Sequence, residues 1–352
     1  MSAVAPPPQL SGVSVLELSI WRPGPYATSL LVGLGADVLK VEPPGGDPMR
    51  NYPEIFDAVS GGKRSIVLDL KGEHDRARAV DLASQADVVI EGFRPGVLAR
   101  FGLDEPSVRS YNQGVIYCSI SGYGQVGPLA QAPGHDLNYQ AWAGSLRPEG
   151  GPAAMPPLPL ADLASGMTAA FGICAALLGR AGHGQGTYLD ISMTEVMSTW
   201  TGAAAAVTTS AASDPGPRER PAVPGYGLFD TADGQQVALG VVNEQHFWSA
   251  LCTELALGDV AELTFATRME RGTELTDALA RAISGRQCDE LVSTLLAAGV
   301  PIAAVLDRAA MTARAPFPTF PIRLDSAVAQ APVSGPVPTI DQHRGQGFLR
   351  AR

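Results

Sequence analysis

The sequence has few of the features that mark a nucleic-acid-binding, membrane or disulfide-bonded protein. Its 25 lysines and arginines are outnumbered by 35 aspartates and glutamates. The resulting net charge of -10 argues against nucleic acid or an anionic membrane as a partner. No apolar run is long enough to predict a membrane span. The cysteines are far apart and form no C-x-x-C pair, so neither a disulfide framework nor a metal site is expected.

The start of the chain also lacks the charged and then apolar pattern of a signal peptide. Together with scattered cysteines, which suit a reducing compartment, this predicts a cytoplasmic location. Hydrophobic residues make up 45% of the chain and charged residues 17%, which is enough apolar material for a large core. Because 352 residues exceed the usual size of one domain, two domains are expected.

The first half of the chain alternates between short apolar segments typical of strands and longer segments typical of helices. Strands are predicted at residues 13–18, 37–42, 65–70, 86–90, 115–119 and 187–192. This alternation predicts an α/β fold, a Rossmann-like doubly wound parallel sheet with its ligand crevice at the carboxyl ends of the strands. No G-x-G-x-x-G follows the first strand, so a dinucleotide is not indicated.

A change of composition predicts the domain boundary. Residues 201–223 are rich in alanine, threonine, serine and proline, which is typical of a linker. A smaller α+β domain is predicted at residues 224–310, and its Asp233-Gly234 pair between apolar segments indicates a hairpin. Residues 311–352 are predicted to return to the large domain, residues 1–200.

Asp162 is the most prominent candidate for chemistry because it lies at the start of a long apolar segment. It is predicted to be the N-cap of that helix, and the small residues Ala164, Ser165 and Gly166 would leave backbone amides accessible to a developing oxyanion. The alternative is that Asp162 only caps a core helix, which is the commoner role of such an aspartate. His135 lies nearby in the sequence, in the segment 134–139.

Basic residues recur near the ends of the predicted strands: Arg22, Lys40, Lys63, Arg64 and Arg94. In an acidic protein, cations gathered near one sheet edge predict a pocket for a phosphorylated ligand. Taken singly, Lys40 or Lys63 would be an ordinary surface charge. Arg94 is the strongest candidate, since it lies in a short glycine- and proline-containing turn directly after a strand.

Several motifs occur in an order that resembles a known family. They are Gly35–Asp47, Lys63–Ser65, Leu68–Lys71, Glu91–Gly96 and Ser121–Pro128. Over about residues 11–325 the chain resembles the family III CoA-transferases, a group that includes formyl-CoA transferase, carnitine CoA-transferase and α-methylacyl-CoA racemase.

The resemblance implies an interlocked homodimer that binds acyl-CoA at the large domain. Coenzyme A is then part of the substrate, and no covalently bound cofactor is expected. Its phosphates would be the ligand of the basic cluster. The implied CoA-binding residues are Arg22, Lys40, Arg64, Arg94, Tyr123, Gly124, Asp136 and Tyr139.

The resemblance also implies two alternative chemistries. In the racemase, His135 and Asp162 would exchange the α-proton of a 2-methylacyl-CoA, and Glu244 would orient the histidine. In the transferases, Asp162 would attack the thioester as a nucleophile. The racemase hypothesis is preferred because all three of its positions are present, although the match at Glu244 is weaker.

One segment favours the transferase alternative. Asp162 is followed by Leu163–Gly166, which resembles the transferases, whereas racemases have a glycine-rich run there. A third hypothesis, a non-catalytic CoA-binding scaffold, is disfavoured by the presence of Asp162.

Overall fold

The computed structural model describes residues 8–146, 153–201, 223–314 and 335–349. The chain divides into two compact units, residues 1–215 with 318–352 and residues 216–317. Most of the predicted linker, 202–222, lies outside the described residues. The described part of the C-terminal segment, 335–349, belongs to the first unit.

A six-stranded parallel sheet forms the centre of the first unit and confirms the predicted Rossmann-like fold class. Its strands are β1 Ser14–Leu18, β2 Asp37–Glu42, β3 Arg64–Val67, β4 Val88–Glu91, β5 Ile116–Ser121 and β6 Thr187–Ser192. The strand order is β3-β2-β1-β4-β5-β6, so the direction of winding reverses between β1 and β4. In sheets of this kind, ligands bind beyond the carboxyl ends of the strands at that reversal.

Helices cover both faces of this sheet. Alternate strand residues enter opposite cores, as Val15 and Leu16 show. The Val15 face packs against α1 Pro23–Gly33 and α6 Leu160–His183. The Leu16 face packs against α3 Glu73–Gln85 and α4 Glu105–Tyr111. The described residues of this unit also form the helices α2 Pro53–Ser60, α5 Asp136–Trp142 and α7 Met193–Thr201.

The helix α6 is longer than the sequence pattern predicts. Its 24 residues are, by length and composition, sufficient to cross a membrane, so the expectation that no segment is long enough was wrong. Its buried residues, among them Ala164, Ala169 and Ile173, share one core with Val15 and Ile116. That packing is typical of a core helix.

The C-terminal segment covers the edge strand β3. The backbone N–H of Ser65 donates to Nδ1 of His343, and the N–H of His343 donates to the carbonyl of Ser65. The N–H of Val67 donates to the carboxylate of Asp341 at 2.9 Å. These bonds occupy backbone groups that an open sheet edge would expose to another chain.

The second unit contains a three-stranded antiparallel sheet, β7 Tyr226–Asp230, β8 Gln236–Gly240 and β9 Ile302–Ala304. The predicted hairpin at Asp233-Gly234 joins β7 to β8, and Gly234 has the positive φ of 74° that such a turn requires. The core of this unit surrounds the fully buried Trp248. Its helices are α8 Gln245–Glu254, α9 Phe265–Glu270, α10 Gly272–Ser284, α11 Cys288–Ala297 and α12 Arg308–Arg314.

Candidate active site

A cleft of about 780 Å³ opens in the first unit at the reversal of strand order. The loops that follow β1, β4 and β5 form its walls, together with the starts of α5 and α6. This is the position at which doubly wound sheets bind their ligands. Six residues predicted from the sequence line it: Arg22, Arg94, His135, Asp136, Tyr139 and Asp162.

Asp162 lies in the first turn of α6, and the prediction that it is the N-cap was wrong. The helix begins at Leu160, so Asp162 is its third residue. The carboxylate that caps the helix comes from Asp136, whose Oδ1 accepts the N–H groups of Ala161 at 2.8 Å and Asp162 at 3.1 Å. The carboxylate of Asp162 is therefore not used in capping.

An oxyanion site was expected at the backbone amides near Asp162, but the amides at the start of α6 already have acceptors. Besides the two amides bonded to Asp136, the N–H of Leu160 donates to Leu158 and that of Leu163 donates to Pro159. All four amides of the first helical turn are thus occupied within the fold. An oxyanion formed in the cleft needs other donors.

The surroundings of Asp162 make it an unusually basic carboxylate. Burial raises its pKa from 3.8 to about 7, and the neighbouring Asp136 acts in the same direction. The positive charge of Arg22 opposes the shift. Near neutral pH the Asp162 carboxylate is therefore both substantially ionised and more basic than an ordinary aspartate.

His135 lies in the same cleft as Asp162, at the N-terminal boundary of α5. Its backbone N–H donates to Oδ1 of Asn138 at 3.0 Å, which fixes the start of the helix. The imidazole is exposed and meets the ring of Trp21 edge-on, with 6.5 Å between ring centroids. The side chain is therefore accessible to a ligand.

The two arginines Arg22 and Arg94 supply the positive charge of the cleft. Each follows a central strand, β1 or β4. Neither forms an ion pair with any residue that the structure describes. Unpaired guanidinium groups beside a cleft are suited to a phosphate or a carboxylate.

Two residues predicted to bind coenzyme A are instead internal to the fold. Lys40 is fully buried and is ion-paired with Glu17 and Asp47, both at 2.8 Å. Arg64 begins β3, at the opposite end of the sheet from the cleft, and pairs with Asp37 at 2.6 Å. In this structure the charges of Lys40 and Arg64 have partners within the protein, which is the physical reason for correcting both predictions.

Of the two predicted tyrosines, Tyr139 lines the cleft and Tyr123 supports it from behind. The ring of Tyr139 lies so close to Gly122 and Gly134 that a Cβ at either position would overlap it, at 2.3 and 2.6 Å. Its hydroxyl donates to the carbonyl of Gly134. Tyr123 packs edge-on against Tyr139, and neither Tyr123 nor the buried Gly124 lines the cleft.

Glu244 belongs to the second unit, where it directly precedes α8. Its carboxylate accepts the N–H of Val242 at 3.1 Å. The backbone N–H of Glu244 itself, and after it that of Val242, lower the pKa of the Glu244 carboxylate. The role of partner to His135 therefore stays a prediction from the resemblance.

Trp21 and Phe93 also line the cleft, although the sequence did not single them out. Both lie in the loops that follow β1 and β4, so the rule that ligands bind at strand ends would have identified them. Phe93 and Ile20 also line a second cleft of about 530 Å³, which extends over the ends of β2 and β3 to Lys71. The two clefts thus share a wall.

The cleft lies where the strand order of an α/β unit reverses, and it contains a basic carboxylate and two unpaired arginines. Such a site is suited to covalent catalysis on an anionic substrate. Sequence comparison is specific: the chain belongs to the family described as CoA-transferase family III, whose sequence model matches residues 10–344. It is therefore an enzyme of that family.

Named relatives cover most of the chain. The chain is 33% identical to the acetyl-CoA:oxalate CoA-transferase of Acetobacter aceti, over 84% of this chain and 80% of the relative. It is 36% identical to the succinate–glutarate CoA-transferase of Agrobacterium fabrum, over 72% of this chain and 68% of the relative. A CAIB/BAIF family protein from Brucella suis has the same fold, with a TM-score of 0.82 and 28% identity over 96% of this chain and 98% of that one.

Proposed function

We propose that this enzyme moves coenzyme A between an acyl-CoA and a carboxylic acid, with Asp162 as the nucleophile. The observation that supports this most directly is a carboxylate with a pKa of about 7 in a cleft that also contains two unpaired arginines. The two relatives from Acetobacter aceti and Agrobacterium fabrum are named CoA-transferases and neither is named a racemase, so they favour this alternative over racemisation.

The proposed reaction conserves the thioester bond energy on the enzyme. The Asp162 carboxylate attacks the thioester carbonyl and expels the CoA thiolate, leaving a mixed anhydride. The thiolate then attacks the aspartyl carbonyl of that anhydride, which releases the first carboxylate and forms an aspartyl-CoA thioester. An acceptor carboxylate repeats these steps in reverse and regenerates Asp162.

Because the two clefts share a wall, an elongated substrate could extend from one cleft into the other. Acyl-CoA is long, and a thioester beside Asp162 would leave its nucleotide end to extend across Ile20 and Phe93 towards Lys71. Arg22 or Arg94 would hold the carboxylate of the acceptor. Because two relatives are named for the dicarboxylates oxalate and glutarate, we propose a dicarboxylic acid as the acceptor class.

The test uses the purified enzyme with succinyl-CoA and a panel of free mono- and dicarboxylic acids. We expect new acyl-CoA products by mass spectrometry, with free succinate formed in equal amount. Hydroxylamine added during turnover should convert Asp162 to its hydroxamate, and the peptide carrying Asp162 identifies the site. Absence of any transfer across the panel and of the hydroxamate would contradict the proposal.

Racemisation is the second candidate function, because His135 and Asp162 line one cleft. It would move the α-proton of a 2-methylacyl-CoA without any acceptor acid. The same experiment, run in deuterated water with a 2-methylacyl-CoA in place of succinyl-CoA, distinguishes the two candidates. Deuterium at the α-carbon in the absence of transfer would replace the transferase proposal by the racemase one.

We propose that the enzyme is a homodimer. The outer face of α6 exposes large apolar side chains, with Phe171 76% and Leu178 78% exposed in the described chain. Such a face is typical of an interface between chains. Sedimentation equilibrium should give twice the chain mass for the natural protein and a shift towards monomer for Phe171→Glu. A monomer at micromolar concentration of the natural protein would contradict the dimer.

A further inference from the structure

Four charged side chains form a buried network beneath the loop between β1 and α1. Glu17 is ion-paired with Lys40 and with Lys63, each at 2.8 Å, and Lys40 also pairs with Asp47 at 2.8 Å. All four side chains are fully buried. Although burial alone would raise the pKa of Glu17, the two ammonium groups lower it to about 2. Burial lowers the pKa of Lys63 to about 8, so the network is charged at neutral pH.

Each lysine also donates to a backbone carbonyl of the segment 19–25, which comprises the loop after β1 and the first turn of α1. Nζ of Lys40 donates to the carbonyl of Ser19 at 2.7 Å. Nζ of Lys63 donates to the carbonyl of Pro25 at 2.8 Å. The hydroxyl of Thr28, one turn further along α1, donates to Oε2 of Glu17 at 2.6 Å. The network thus holds both ends of the segment 19–25.

That segment carries side chains into the cleft. Ile20, Trp21 and Arg22 all line it. Trp21 has a φ of 62°, a conformation that a bulky residue adopts only when its surroundings impose it. Its ring contacts His135, and the charge of Arg22 acts on Asp162.

The loop is also close to the helix that carries Asp162. A Cβ at Gly166, one turn after Asp162 in α6, would lie 2.7 Å from the carbonyl of Pro23. The start of α1 therefore fits directly against α6, and a shift of the loop would change the distance from Arg22 to Asp162.

We propose that Lys40 and Lys63 are positioning residues, which hold the segment 19–25 through its Ser19 and Pro25 carbonyls so that Trp21 and Arg22 face Asp162. This inference rests on the proposed CoA transfer. Stability alone does not explain the network, because buried ion pairs are often no more stabilising than apolar side chains of the same size. A positioning role does explain why one lysine binds the loop after β1 and the other binds the first turn of α1.

The main variant is the double substitution Glu17→Gln with Lys63→Met, which removes one positive and one negative charge and keeps the Lys40–Asp47 pair. We expect kcat/KM for CoA transfer to fall about 10-fold or more, since small displacements at a reacting centre have effects of this size. The acid limb of the kcat/KM profile should shift to higher pH, because Arg22 no longer lowers the pKa of Asp162. The shift should vanish when both enzymes also carry Arg22→Met.

The matched control is Asp87→Asn with Arg180→Met, a charge-neutral removal of an ion pair of 2.8 Å at the opposite end of the sheet. It should lower stability and leave the pH profile unchanged. Thr28→Val removes a single hydrogen bond to Glu17 and serves if the double variant does not fold. It should shift the acid limb in the same direction by a smaller amount.

Hydrogen exchange of the backbone amides in residues 19–26 provides a readout that needs no activity. Exchange should accelerate in the network variants and stay at the natural rate in the control. Natural exchange and an unshifted acid limb in the Glu17→Gln, Lys63→Met enzyme would overturn the positioning role. If the natural enzyme transfers no CoA, the proposed function fails, while the exchange rates still decide whether the network holds the loop.

Discussion

Replacing Asp162 by asparagine is expected to reduce CoA transfer by about 10³-fold or more. The substitution keeps the shape of the side chain and removes the nucleophilic oxygen, so neither the anhydride nor the aspartyl thioester can form. Initial rates of acyl exchange measure the loss, and hydroxylamine should no longer modify this peptide. Asp81→Asn, on the exposed surface of α3, is the control and should retain the natural rate.

If Asp162 is the nucleophile, its ionisation should also control how kcat/KM of the natural enzyme depends on pH. Asp162 must be ionised to attack, and its pKa is about 7, so kcat/KM should rise as the pH increases through about 7. An acid limb near pH 4, the range of an ordinary aspartate, would contradict the assignment of Asp162 as the buried nucleophile.

Stability should change in the opposite direction from activity. The pKa of Asp162 is higher in the folded chain than the ordinary 3.8, so the folded state holds the proton more tightly and loses stability as the pH rises from about 4 to 7. Asparagine has no proton to lose. We therefore expect Asp162→Asn to have a higher free energy of unfolding than the natural protein at pH 8, by on the order of 2 kcal/mol, and a smaller difference at pH 5. Urea unfolding at the two pH values measures this.

The sheet was predictable because its strands carry local signals. The bounds of β2 and β6 coincide with the predicted 37–42 and 187–192, where apolar runs are bordered by glycine or proline. The start of α6 was not predictable in this way. Its cap, Asp136, lies 25 residues before Ala161 in the sequence, and no local pattern reports such a contact.

The basic residues show a second limit of prediction from the sequence, which concerns burial. A lysine at a strand end is usually at the surface, and the pattern around Lys40 does not show otherwise. Burial of Lys40 depends on Glu17, which lies directly opposite it in the parallel pairing of β1 with β2. Once β1 and β2 are paired in parallel, Glu17 and Lys40 become neighbours, so a register argument could have found the network. The position of Arg22 and Arg94 at the cleft could be predicted from the sequence alone, because both residues follow central strands.

Replacing Asp136 by alanine is the second substitution with a large expected effect. It removes the acceptor of the N–H groups of Ala161 and Asp162, and also that of the Gln140 side chain, which donates to Oδ2 at 2.6 Å. The freed amides at the positive end of α6 would attract the Asp162 carboxylate away from the cleft. We expect CoA transfer at pH 8 to fall about 10²-fold.

Asp136→Asn separates geometry from charge in that result. Its amide oxygen can still accept the N–H groups of α6, so Asp162 should keep its direction and transfer should fall less than in Asp136→Ala. Both variants lack the negative charge that helps to raise the pKa of Asp162, so both acid limbs should move to lower pH. Equal losses of rate in the two variants would mean that charge rather than capping controls Asp162. An acid limb that stays near pH 7 in both would mean that burial alone sets this pKa and that Asp136 acts only as the cap of α6.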